Sequence, residues 1–599
     1  MVTDKTIRVG RAKSYPNEVW WFVSCFIFTV AIFQYGSWAI SKLLRRRAAA
    51  QEALQNDTEG GGAGPNRRFS VRRLPLAILN AYRVVAFRWT LEIGSWYTLN
   101  FAEVFVTCSY IIAIFIWEFG NTTDLEGHKL DMTYWGNRAG TIAASQIPLV
   151  TALGTKNNVV AYITGISYDK LNYIHRMTAR VMFVLLWVHG GAKVGHLDPG
   201  EIDASWVRAG ILAMAAFSLL ILVSLRPIRA NVYEFFFLTH FSMVLIFLLG
   251  AYFHAKDQNM SYYIWPSFIF WALDRFIRLM RVVVFNHQYF WFKSSGSLDG
   301  TVELLSPHFL RLRLSRPPHF HWRPGQTAYL IMPTVSASPF EAHPFTIASV
   351  DTSDEMGGDL EKKELGETTP FWKELVFLIN VRSGVTKRLA TIAQTGAKVK
   401  VAVDGPYGFS PDLSVDDTVV LISGGSGITF TLSSFLGVVN DVRNGKSSCR
   451  KIIFIWAIRD AAHIEWISKT LSKALEVAPS YLSISIRIYV TSREPLPATN
   501  PKAWDDDSIH GSENSEDKSR APSLLESPAV QVVSGRPDLH ILLRDEALAN
   551  TGRMSVTVCG SQAIARACRA ALRFPVSGPK SILQGCASVV LHVETFGYA

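Results

Sequence analysis

The chain has 599 residues, of which 49% are hydrophobic and only 18% charged, against roughly 25% charged residues in a typical soluble protein. Its net charge of +11 does not indicate a nucleic-acid binder, because the basic residues flank apolar segments instead of forming a stripe among aromatic residues. None of the six cysteines forms a CxxC pair, which argues against a zinc ribbon and a disulfide framework.

The first 285 residues carry seven apolar segments long enough to cross a bilayer, which takes about 20 residues in a helix. Residues 1–16 are polar and have no cleavage pattern, so we expect no signal peptide. We therefore predict a transmembrane domain over 1–285. The predicted spanning helices are 18–41, 98–119, 138–165, 172–194, 207–226, 233–255 and 262–284.

The distribution of charge predicts the orientation of these helices. The loop 42–90 carries ten Lys and Arg residues and should be cytosolic, whereas the loop 120–137 carries only Lys129. That second loop also holds Asn121-Thr122-Thr123, a glycosylation acceptor that functions only outside the cytosol. We expect an integral membrane glycoprotein of the plasma membrane, or alternatively of the vacuolar membrane, with its N-terminus outside and its second half cytosolic.

Beyond the last apolar segment, the pattern changes to that of a soluble module. Short β-type runs with turn residues between them predict a β-barrel over 295–410. Apolar strands then alternate with helical segments, which predicts a parallel α/β domain over 416–599. Residues 351–367 and 496–528 are polar or acidic and should be disordered insertions.

Four histidines lie inside the apolar helices, where an ionisable group is costly and therefore suggests function. His175 and His189 share one helix and His240 and His254 share another, and each pair is separated by 14 residues. Fourteen residues of helix place two side chains on nearly the same face, about 21 Å apart.

Only one helix lies between the two histidine-bearing helices, so they run in the same direction. His175 then matches His240 in depth near the cytosol, and His189 matches His254 near the outside. Two stacked pairs of imidazoles suit two b-type haems with both axial positions filled. The alternative is that these histidines only form hydrogen bonds between packed helices.

The soluble module contains two segments typical of a flavin site. His343-Pro-Phe-Thr-Ile-Ala-Ser349 follows the strand that begins at Pro324, and its hydroxyl groups can reach a flavin. Arg382-Ser-Gly-Val-Thr-Lys-Arg388 places cations and a glycine before a helix, as a pyrophosphate requires. Taken alone, the first segment could equally be an ordinary buried strand.

A nicotinamide site is indicated further along the chain. Ser423-Gly-Gly-Ser-Gly-Ile-Thr429 follows an apolar strand and opens a helix, so its backbone can approach a pyrophosphate. Cys559-Gly560 follows another strand and would form the second edge of the site. The alternatives are a plain strand-to-helix turn and a buried small thiol.

These motifs together resemble the fungal ferric-chelate reductases, relatives of the NADPH oxidases, over nearly the whole chain. The resemblance assigns His175, His189, His240 and His254 to haem iron. It assigns the segments Thr491-Ser492-Arg493-Glu494 to the 2′-phosphate of NADPH and Val593–Tyr598 to an aromatic cover over the flavin, where Cys559 and Tyr598 would act. The cofactor-binding residues that it implies are His343, Pro344, Phe345, Thr346, Ile347, Ala348, Ser349, Arg382, Gly384, Thr386, Lys387, Gly424, Gly425, Ser426, Gly427, Ile428, Thr429, Ser492, Arg493 and Gly560.

The resemblance implies a transmembrane oxidoreductase with FAD, two b-type haems and NADPH as cofactors. It would reduce ferric chelates or cupric ions outside the cytosol in support of iron uptake, together with a downstream iron oxidase and permease. A superoxide-generating NADPH oxidase is the alternative enzyme, and a channel or transporter with a cytosolic domain is the alternative outside enzymes. No nucleic-acid partner is expected.

Overall fold

The computed structural model describes residues 3–56, 69–93, 97–195, 200–286, 299–351, 373–492 and 524–595. The chain divides into two compact units, one built from residues 1–47 and 102–281 and the other from residues 48–101 and 282–597. The predicted site residues Arg493 and Tyr598 lie outside the described residues, as does most of both predicted insertions.

The described helices longer than one turn are numbered here in chain order. They are α1 (Asp4–Asn56), α2 (Leu74–Arg83), α3 (Phe101–Phe119), α4 (Met132–Gly154), α5 (Val159–Thr164), α6 (Tyr168–Val194), α7 (Ser205–Val223), α8 (Arg226–Asn231), α9 (Tyr233–Lys256), α10 (Trp265–Phe285), α11 (Val385–Thr395), α12 (Ile428–Arg443), α13 (Ser468–Val477), α14 (Leu539–Ala549), α15 (Gln562–Ala571) and α16 (Pro579–Leu583).

The described strands are numbered in the same way. They are β1 (Thr90–Ile93), β2 (Tyr97–Asn100), β3 (Asp299–Ser306), β4 (Phe309–Arg316), β5 (Thr327–Ile331), β6 (Ala342–Thr346), β7 (Lys373–Asn380), β8 (Val399–Lys400), β9 (Ala402–Tyr407), β10 (Thr418–Gly424), β11 (Lys451–Ile458), β12 (Ser483–Val490), β13 (Val530–Ser534), β14 (Arg553–Gly560) and β15 (Ser588–Thr595).

The first unit is a bundle of seven long helices, in which α4 packs along α6 and α7 packs along α9. Among the described residues, the helices α1, α3, α7 and α9 are long and apolar enough to cross a membrane, by length and composition. The helices α4, α6 and α10 correspond to the other three predicted spans. Their apolar side chains pack into one core inside the bundle, which includes Ile142, Leu153, Met182, Leu185 and Phe247.

The predicted span 138–165 is wrong in its bounds, because α4 begins at Met132 and ends at Gly154. The chain then leaves the helix, and Asn158 caps the separate short helix α5 by accepting from the backbone N–H of Val160 at 2.9 Å. Asn side chains favour such caps over helix interiors. The polar run Thr155-Lys156-Asn157-Asn158 marks this break in the sequence.

The second unit contains the predicted β-barrel and α/β domain. The barrel consists of two antiparallel sheets, with strand orders β7-β4-β3-β8 and β6-β5-β9, whose inward side chains form one apolar core. The α/β domain is a six-stranded parallel sheet of order β13-β12-β11-β10-β14-β15. Because β10 is central and its neighbours β11 and β14 lie on either side, ligands are expected at the carboxyl ends of these strands.

The segment between α1 and α3 belongs to the second unit, where α2 packs against α16 and β15. Arg88, only 1% exposed, donates from its guanidinium to the backbone oxygens of Leu572 at 2.6 Å and Val589 at 2.5 Å. Burial lowers the pKa of Arg88 to about 9. Asn80 adds a bond of 2.6 Å from its side-chain amide to the backbone oxygen of Ser577. This predicted cytosolic loop therefore forms part of the α/β domain.

Candidate functional site

Two of the four membrane histidines face each other directly in the first unit. The rings of His189 on α6 and His254 on α9 have centroids 6.2 Å apart, with an angle of 69° between their planes. Two imidazoles that bind one metal ion through nitrogen–metal bonds of about 2 Å would have centroids about 6 Å apart. The centroid distance therefore matches what two imidazoles on one metal ion would have, and His189 and His254 are the residues that would hold it.

The same two histidines are fixed through the nitrogen that would not bind iron. The Nδ1 of His189 lies 2.7 Å from the backbone oxygen of Gly136, and the Nδ1 of His254 lies 2.9 Å from that of Trp206. An N–H donated to a carbonyl sets the tautomer and leaves Nε2 available as a ligand. This arrangement is the usual support for a metal-binding histidine.

The second pair, His175 and His240, lies at the other level of the same helices, close enough for electrostatic interaction. The Nδ1 of His175 lies 2.8 Å from the backbone oxygen of Val150. The Nδ1 of His240 instead lies 3.3 Å from the hydroxyl of Ser224. Both rings are thus oriented from Nδ1, as in the first pair, although one partner is a hydroxyl.

Small residues make room for these rings. A Cβ at Gly140 would lie 2.7 Å from the ring of His189, and one at Gly154 would lie 3.0 Å from the ring of His175. A Cβ at Gly210 would lie 2.6 Å from the ring of His254. The sequence analysis did not identify these glycines.

A signal for these small residues is present in the sequence. Gly140 and Gly154 on α4 are separated by 14 residues, as are Gly210 and Ser224 on α7. Each pair repeats the spacing of the histidines that it contacts on the neighbouring helix. Four helices therefore carry matched positions at two levels, which is the arrangement that two stacked haems need.

The predicted nicotinamide motif forms a turn at the carboxyl end of β10. Gly424 ends the strand, Gly425 has a positive φ of 54°, and α12 begins at Ile428. Gly425 is further fixed by the indole of Trp456, which donates to its backbone oxygen at 3.0 Å. The N-terminus of α12 lies at this turn, and a helix N-terminus can bind a phosphate. Trp456 was missed in the sequence analysis because it looks like an ordinary core residue.

Cys559 and Gly560 lie beside this turn, because β14 is the parallel neighbour of β10 and Ser423 pairs with Cys559. Gly424 and Gly560 are back to back: a Cβ on Gly560 would lie 3.1 Å from the backbone nitrogen of Gly424. Burial, with a further contribution from Glu594, raises the pKa of the Cys559 thiol. The thiol is therefore neutral at physiological pH and suited to contact, not to nucleophilic attack.

The predicted flavin motif follows β5 and forms the edge strand β6 and the residues after it. Pro344 is exposed, while His343, Phe345, Thr346 and Ser349 are partly exposed. Ile347 and Ala348 are buried and anchor the strand in the protein interior. Thr346 is thus partly exposed at a surface, whereas the Ser349 hydroxyl donates to the backbone oxygen of Glu374 and accepts from the backbone N–H of Val376, both at 3.2 Å.

Ser433 on α12 links the flavin segment to the nicotinamide segment. Its hydroxyl accepts from the backbone N–H of Gly325 at 3.1 Å and donates to the backbone oxygen of Ser349 at 3.4 Å. Gly325 and Ser349 flank the barrel strands that carry the flavin motif. The helix that begins with the nicotinamide turn therefore holds the flavin strands directly, a contact between distant residues that no local pattern predicted.

The second flavin segment forms the start of α11. Gly384 is its N-cap residue with a positive φ of 73°, and the backbone N–H of Arg382 donates to the Thr386 hydroxyl at 2.8 Å. Arg382 and Lys387 are exposed. Two cations near a helix N-terminus can bind a pyrophosphate, as the sequence predicts.

The segment expected to hold the 2′-phosphate is described only in its first half. Thr491 and Ser492 follow the carboxyl end of β12, where the backbone N–H of Ser492 donates to the backbone oxygen of Arg459 at 3.1 Å. They lie at the same edge of the parallel sheet as the nicotinamide turn. Arg493 itself lies outside the described residues, so its assignment stays a prediction.

Comparison with known families decides the affiliation of the chain. Residues 139–251 match the family described as "Ferric reductase like transmembrane component", residues 296–411 match "FAD-binding domain", and residues 416–572 match "Ferric reductase NAD binding domain". The chain belongs to the ferric reductase family. The matched transmembrane segment contains His175, His189 and His240 and ends three residues before His254. The second match covers the barrel, and the third covers the parallel sheet except for its last strand, β15.

Named fungal relatives of this ferric reductase family member support the same affiliation. The chain is 30% identical over 381 residues to "Probable cell surface ferric reductase kap2" of Aspergillus oryzae, an alignment that covers 60% of this chain and 48% of that protein. It is 23% identical over 449 residues to "Ferric/cupric reductase transmembrane component 1" of Candida albicans, covering 72% and 53% respectively. The chain thus spans about half the length of the curated relatives that it matches.

A solved structure with a similar soluble part is a ferredoxin NADP+ reductase from Neisseria gonorrhoeae with bound FAD and NADP. That likeness has a TM-score of 0.30 and 14% identity and covers 49% of this chain and 97% of the other.

Proposed function

We propose that the chain transfers electrons from cytosolic NADPH, through FAD and two b-type haems, across a membrane to ferric chelates, with cupric ions as a further acceptor. The observation that carries this proposal is the pair of facing imidazoles of His189 and His254, 6.2 Å apart, repeated at a second level by His175 and His240. A flavin- and nucleotide-binding module in the same chain gives the two haem positions a source of electrons.

The residues of the soluble unit support the first half of this reaction. An FAD bound to these residues would supply the chemistry that converts hydride transfer from a nicotinamide into the transfer of single electrons. The turn at Gly424–Gly427 and the start of α12 would hold the NADPH pyrophosphate, and Thr346 and Ser349 would contact the flavin. The neutral thiol of Cys559 would contact the nicotinamide without adding charge, and Tyr598 would cover the flavin ring when nicotinamide is absent.

The residues of the membrane unit support the second half. His189 with His254, and His175 with His240, would each hold one haem, and histidine ligation of this kind would supply electron transfer without a free site for oxygen or substrate. The histidine-bearing helices hold their imidazoles at two depths, so two haems bound there would lie in series across the membrane. The two acceptor types are suggested by the names of the relatives, which are ferric and ferric/cupric reductases.

We propose that the protein lies in the plasma membrane, or alternatively in the vacuolar membrane, with the soluble unit in the cytosol. One relative is named a cell surface ferric reductase, which supports the plasma membrane. The positive loop before α3 supports the cytosolic side. In this setting the ferrous product would pass to an iron oxidase and permease. Glycosylation at Asn121 belongs to the same proposal.

The proposal is tested with purified protein in sealed vesicles, with NADPH supplied to the side of the soluble unit. Ferrous iron is measured on the opposite side with an impermeant chromogenic chelator, and superoxide is measured in parallel. Formation of ferrous iron that persists with superoxide dismutase supports the reductase. Superoxide as the main product would show the alternative, an NADPH oxidase, and absence of haem and flavin absorbance would overturn both enzymes.

A further inference from the structure

Trp466 lies where the β-barrel meets the parallel α/β domain, and both domains belong to the same compact unit. Its indole is 6% exposed and stacks on the ring of Phe309 at the start of β4, with centroids 3.8 Å apart and planes inclined by 12°. The imidazole of His463 also stacks on this indole, at a centroid distance of 4.0 Å. The indole is thus packed between a ring of the barrel and a ring of its own domain.

A hydrogen bond fixes the backbone of Trp466 to the same barrel strand. The guanidinium of Arg311, two residues after Phe309, donates to the backbone oxygen of Trp466 at 2.7 Å. The Arg311 side chain is only 15% exposed and is held in turn by Glu303 at 2.9 Å. Because β4 contacts both the ring and the backbone of Trp466, the two domains are fixed in orientation at this point as well as in distance.

On the barrel side, this contact leads to the second flavin segment. Phe309 pairs with Asn380 on the neighbouring strand β7. The backbone oxygen of His308 accepts from the N–H of Val381 at 2.8 Å, and Arg382 follows directly. A shift of Phe309 would therefore move the start of the segment that would hold the FAD pyrophosphate.

On the side of the α/β domain, the contact leads to the nicotinamide turn. The rings of Trp466 and Trp456 have centroids 6.3 Å apart, with an angle of 54° between their planes. Trp456 is fully buried, and its indole holds the backbone oxygen of Gly425 at 3.0 Å. Trp466 thus contacts both the barrel strand beside the flavin segment and the residue that holds the nicotinamide turn.

The link through Trp466 differs in place from the link through Ser433. Ser433 binds Gly325 and Ser349, which flank strands of the sheet β6-β5-β9. Trp466 contacts Phe309 on β4, which belongs to the other sheet of the barrel. Contacts with both sheets resist rotation of one domain against the other, which a contact with one sheet alone would resist less.

We propose that Trp466 is a positioning residue for hydride transfer, which sets the orientation of the nicotinamide turn relative to the flavin segments. The inference rests on the proposed function and adds a residue that acts through Phe309 and Trp456. The reaction moves a hydride, which is a proton with two electrons, from the dihydronicotinamide to the flavin and leaves the oxidised nicotinamide. A misplacement of about 1 Å can lower the rate of such a step about 100-fold.

The first experiment measures flavin reduction by NADPH in anaerobic stopped flow, using purified protein that contains FAD and haem. Trp466→Ala should lower the limiting rate per bound flavin by about 10- to 100-fold. The NADPH concentration that gives half of this rate should change little, because the groups that would bind the nucleotide remain. The deuterium isotope effect on steady-state kcat should rise, because hydride transfer becomes the slow step.

Further variants separate positioning from folding. Trp466→Phe keeps a flat ring and should recover most of the rate. Phe309→Leu removes the stacked ring from the barrel side and should reproduce the loss, which also tests the proposal if Trp466→Ala does not fold. Tyr481→Ala is the control, since this aromatic residue of the same domain is 66% exposed, and it should keep the wild-type rate.

The second experiment requires no bound cofactor. Spin labels at Thr395→Cys in the barrel and Asp545→Cys in the α/β domain, both exposed positions, report the distance between the domains by pulsed electron paramagnetic resonance. The exposed Cys25 and Cys108 are first replaced by serine. Wild type should give a narrow distance distribution, Trp466→Ala a broader one, and Trp466→Phe a distribution close to that of wild type.

The outcomes are distinguishable. A wild-type rate of flavin reduction in Trp466→Ala would overturn the positioning role, as would a slow rate with an unchanged distance distribution. A rate in Trp466→Phe as low as that in Trp466→Ala would show that the stacked ring does not position the domains. Failure of NADPH to reduce the flavin of wild type would instead overturn the proposed function.

Discussion

The rings of His189 and His254 face each other at a centroid distance of 6.2 Å, and a backbone oxygen holds the Nδ1 of each. These bonds occupy Nδ1 and leave the Nε2 of each ring as the nitrogen available to a ligand. The two histidines lie on helices that are not adjacent in sequence. Their pairing predicts which haem is lost when either histidine is replaced.

Replacing His189 by alanine should remove one of two b-type haems and stop electron transfer across the membrane. The other haem should remain, because His175 and His240 lie at a separate level with their own Nδ1 partners. The haem content per flavin is measured by absorbance of the reduced pyridine complex. His196→Ala is the matched control, since that histidine follows the helix in sequence. Full haem content in His189→Ala would exclude the pairing.

Replacing Gly210 by alanine tests the space beside the His254 ring without removing a histidine. The new Cβ would lie 2.6 Å from His254, so the ring must move. We expect partial loss of one haem and a shifted midpoint potential for the haem that remains, measured by redox titration. Gly191→Ala is the control, because a Cβ there meets nothing within 4 Å. Identical redox titrations for Gly210→Ala and Gly191→Ala would show that the His254 ring can accommodate the added methyl group.

Replacing Thr346 by alanine should lower the flavin content and leave the haem spectrum intact. The hydroxyl is partly exposed on the edge strand β6, in the unit that does not contain the haem-binding histidines. Pro344→Ala should act in the same direction. Flavin is measured by fluorescence after denaturation, and Thr395→Ala at the exposed end of α11 is the control. Loss of haem together with flavin would indicate that the two units fold as one.

The free energy of unfolding should depend on pH through the ionisation of Asp416. This carboxyl lies just before β10 and is 1% exposed. Burial raises its pKa to about 6, against 3.8 ordinarily, although Arg553 acts to lower it. The unfolded chain therefore releases this proton at lower pH than the folded protein does. The contribution of Asp416 to stability is greatest below about pH 4, falls as pH rises to about 6, and is constant above.

Asp416→Asn should remove this dependence. Relative to wild type, the variant should gain up to about 3 kcal/mol in free energy of unfolding between pH 4 and pH 7. Thermal unfolding followed by flavin fluorescence measures the difference at each pH. The exposed Asp545→Asn is the control and should show no such trend. A parallel pH course for Asp416→Asn and wild type would show that Arg553 keeps the carboxyl ionised throughout.

Arg493→Ala tests the choice of nicotinamide. A guanidinium can form a bidentate pair with the 2′-phosphate that NADPH carries and NADH lacks. We expect a higher KM for NADPH and an unchanged KM for NADH in steady-state assays, so NADH is the internal control. Equal changes with both cofactors would exclude Arg493 from the phosphate site.

The sequence predicted those parts of the fold that repeat with a period. Alternating apolar residues predicted β3, β4 and β5, and apolar runs bounded by turns predicted β10, β11, β12 and β14. The end of α4 at Gly154 was not predicted, although the polar run Thr155-Lys156-Asn157-Asn158 directly after it is a sequence signal for the break. The strand β13 follows a polar stretch and carries only five residues, so its apolar pattern is short.

Some residues of the candidate site could likewise be predicted from the sequence, and others could not. Motif residues such as Gly424 and Cys559 could be placed, since they follow strands that the sequence shows clearly. Ser433 and Trp456 could not, because each acts through a contact with a distant segment that only the folded chain brings near. Gly210 could have been found, since it and Ser224 repeat the 14-residue spacing of the histidines.

The segment that carries Arg88 has a practical consequence for work on the soluble half. A fragment that starts at residue 299 would keep every strand of the α/β domain but would lack α2 and the guanidinium that satisfies the carbonyls of Leu572 and Val589. Such a fragment would expose an apolar face along α16 and β15 and should aggregate. Fusing residues 69–93 to it through a flexible linker should restore solubility, so protein engineering on this module should start from a composite, not a simple truncation.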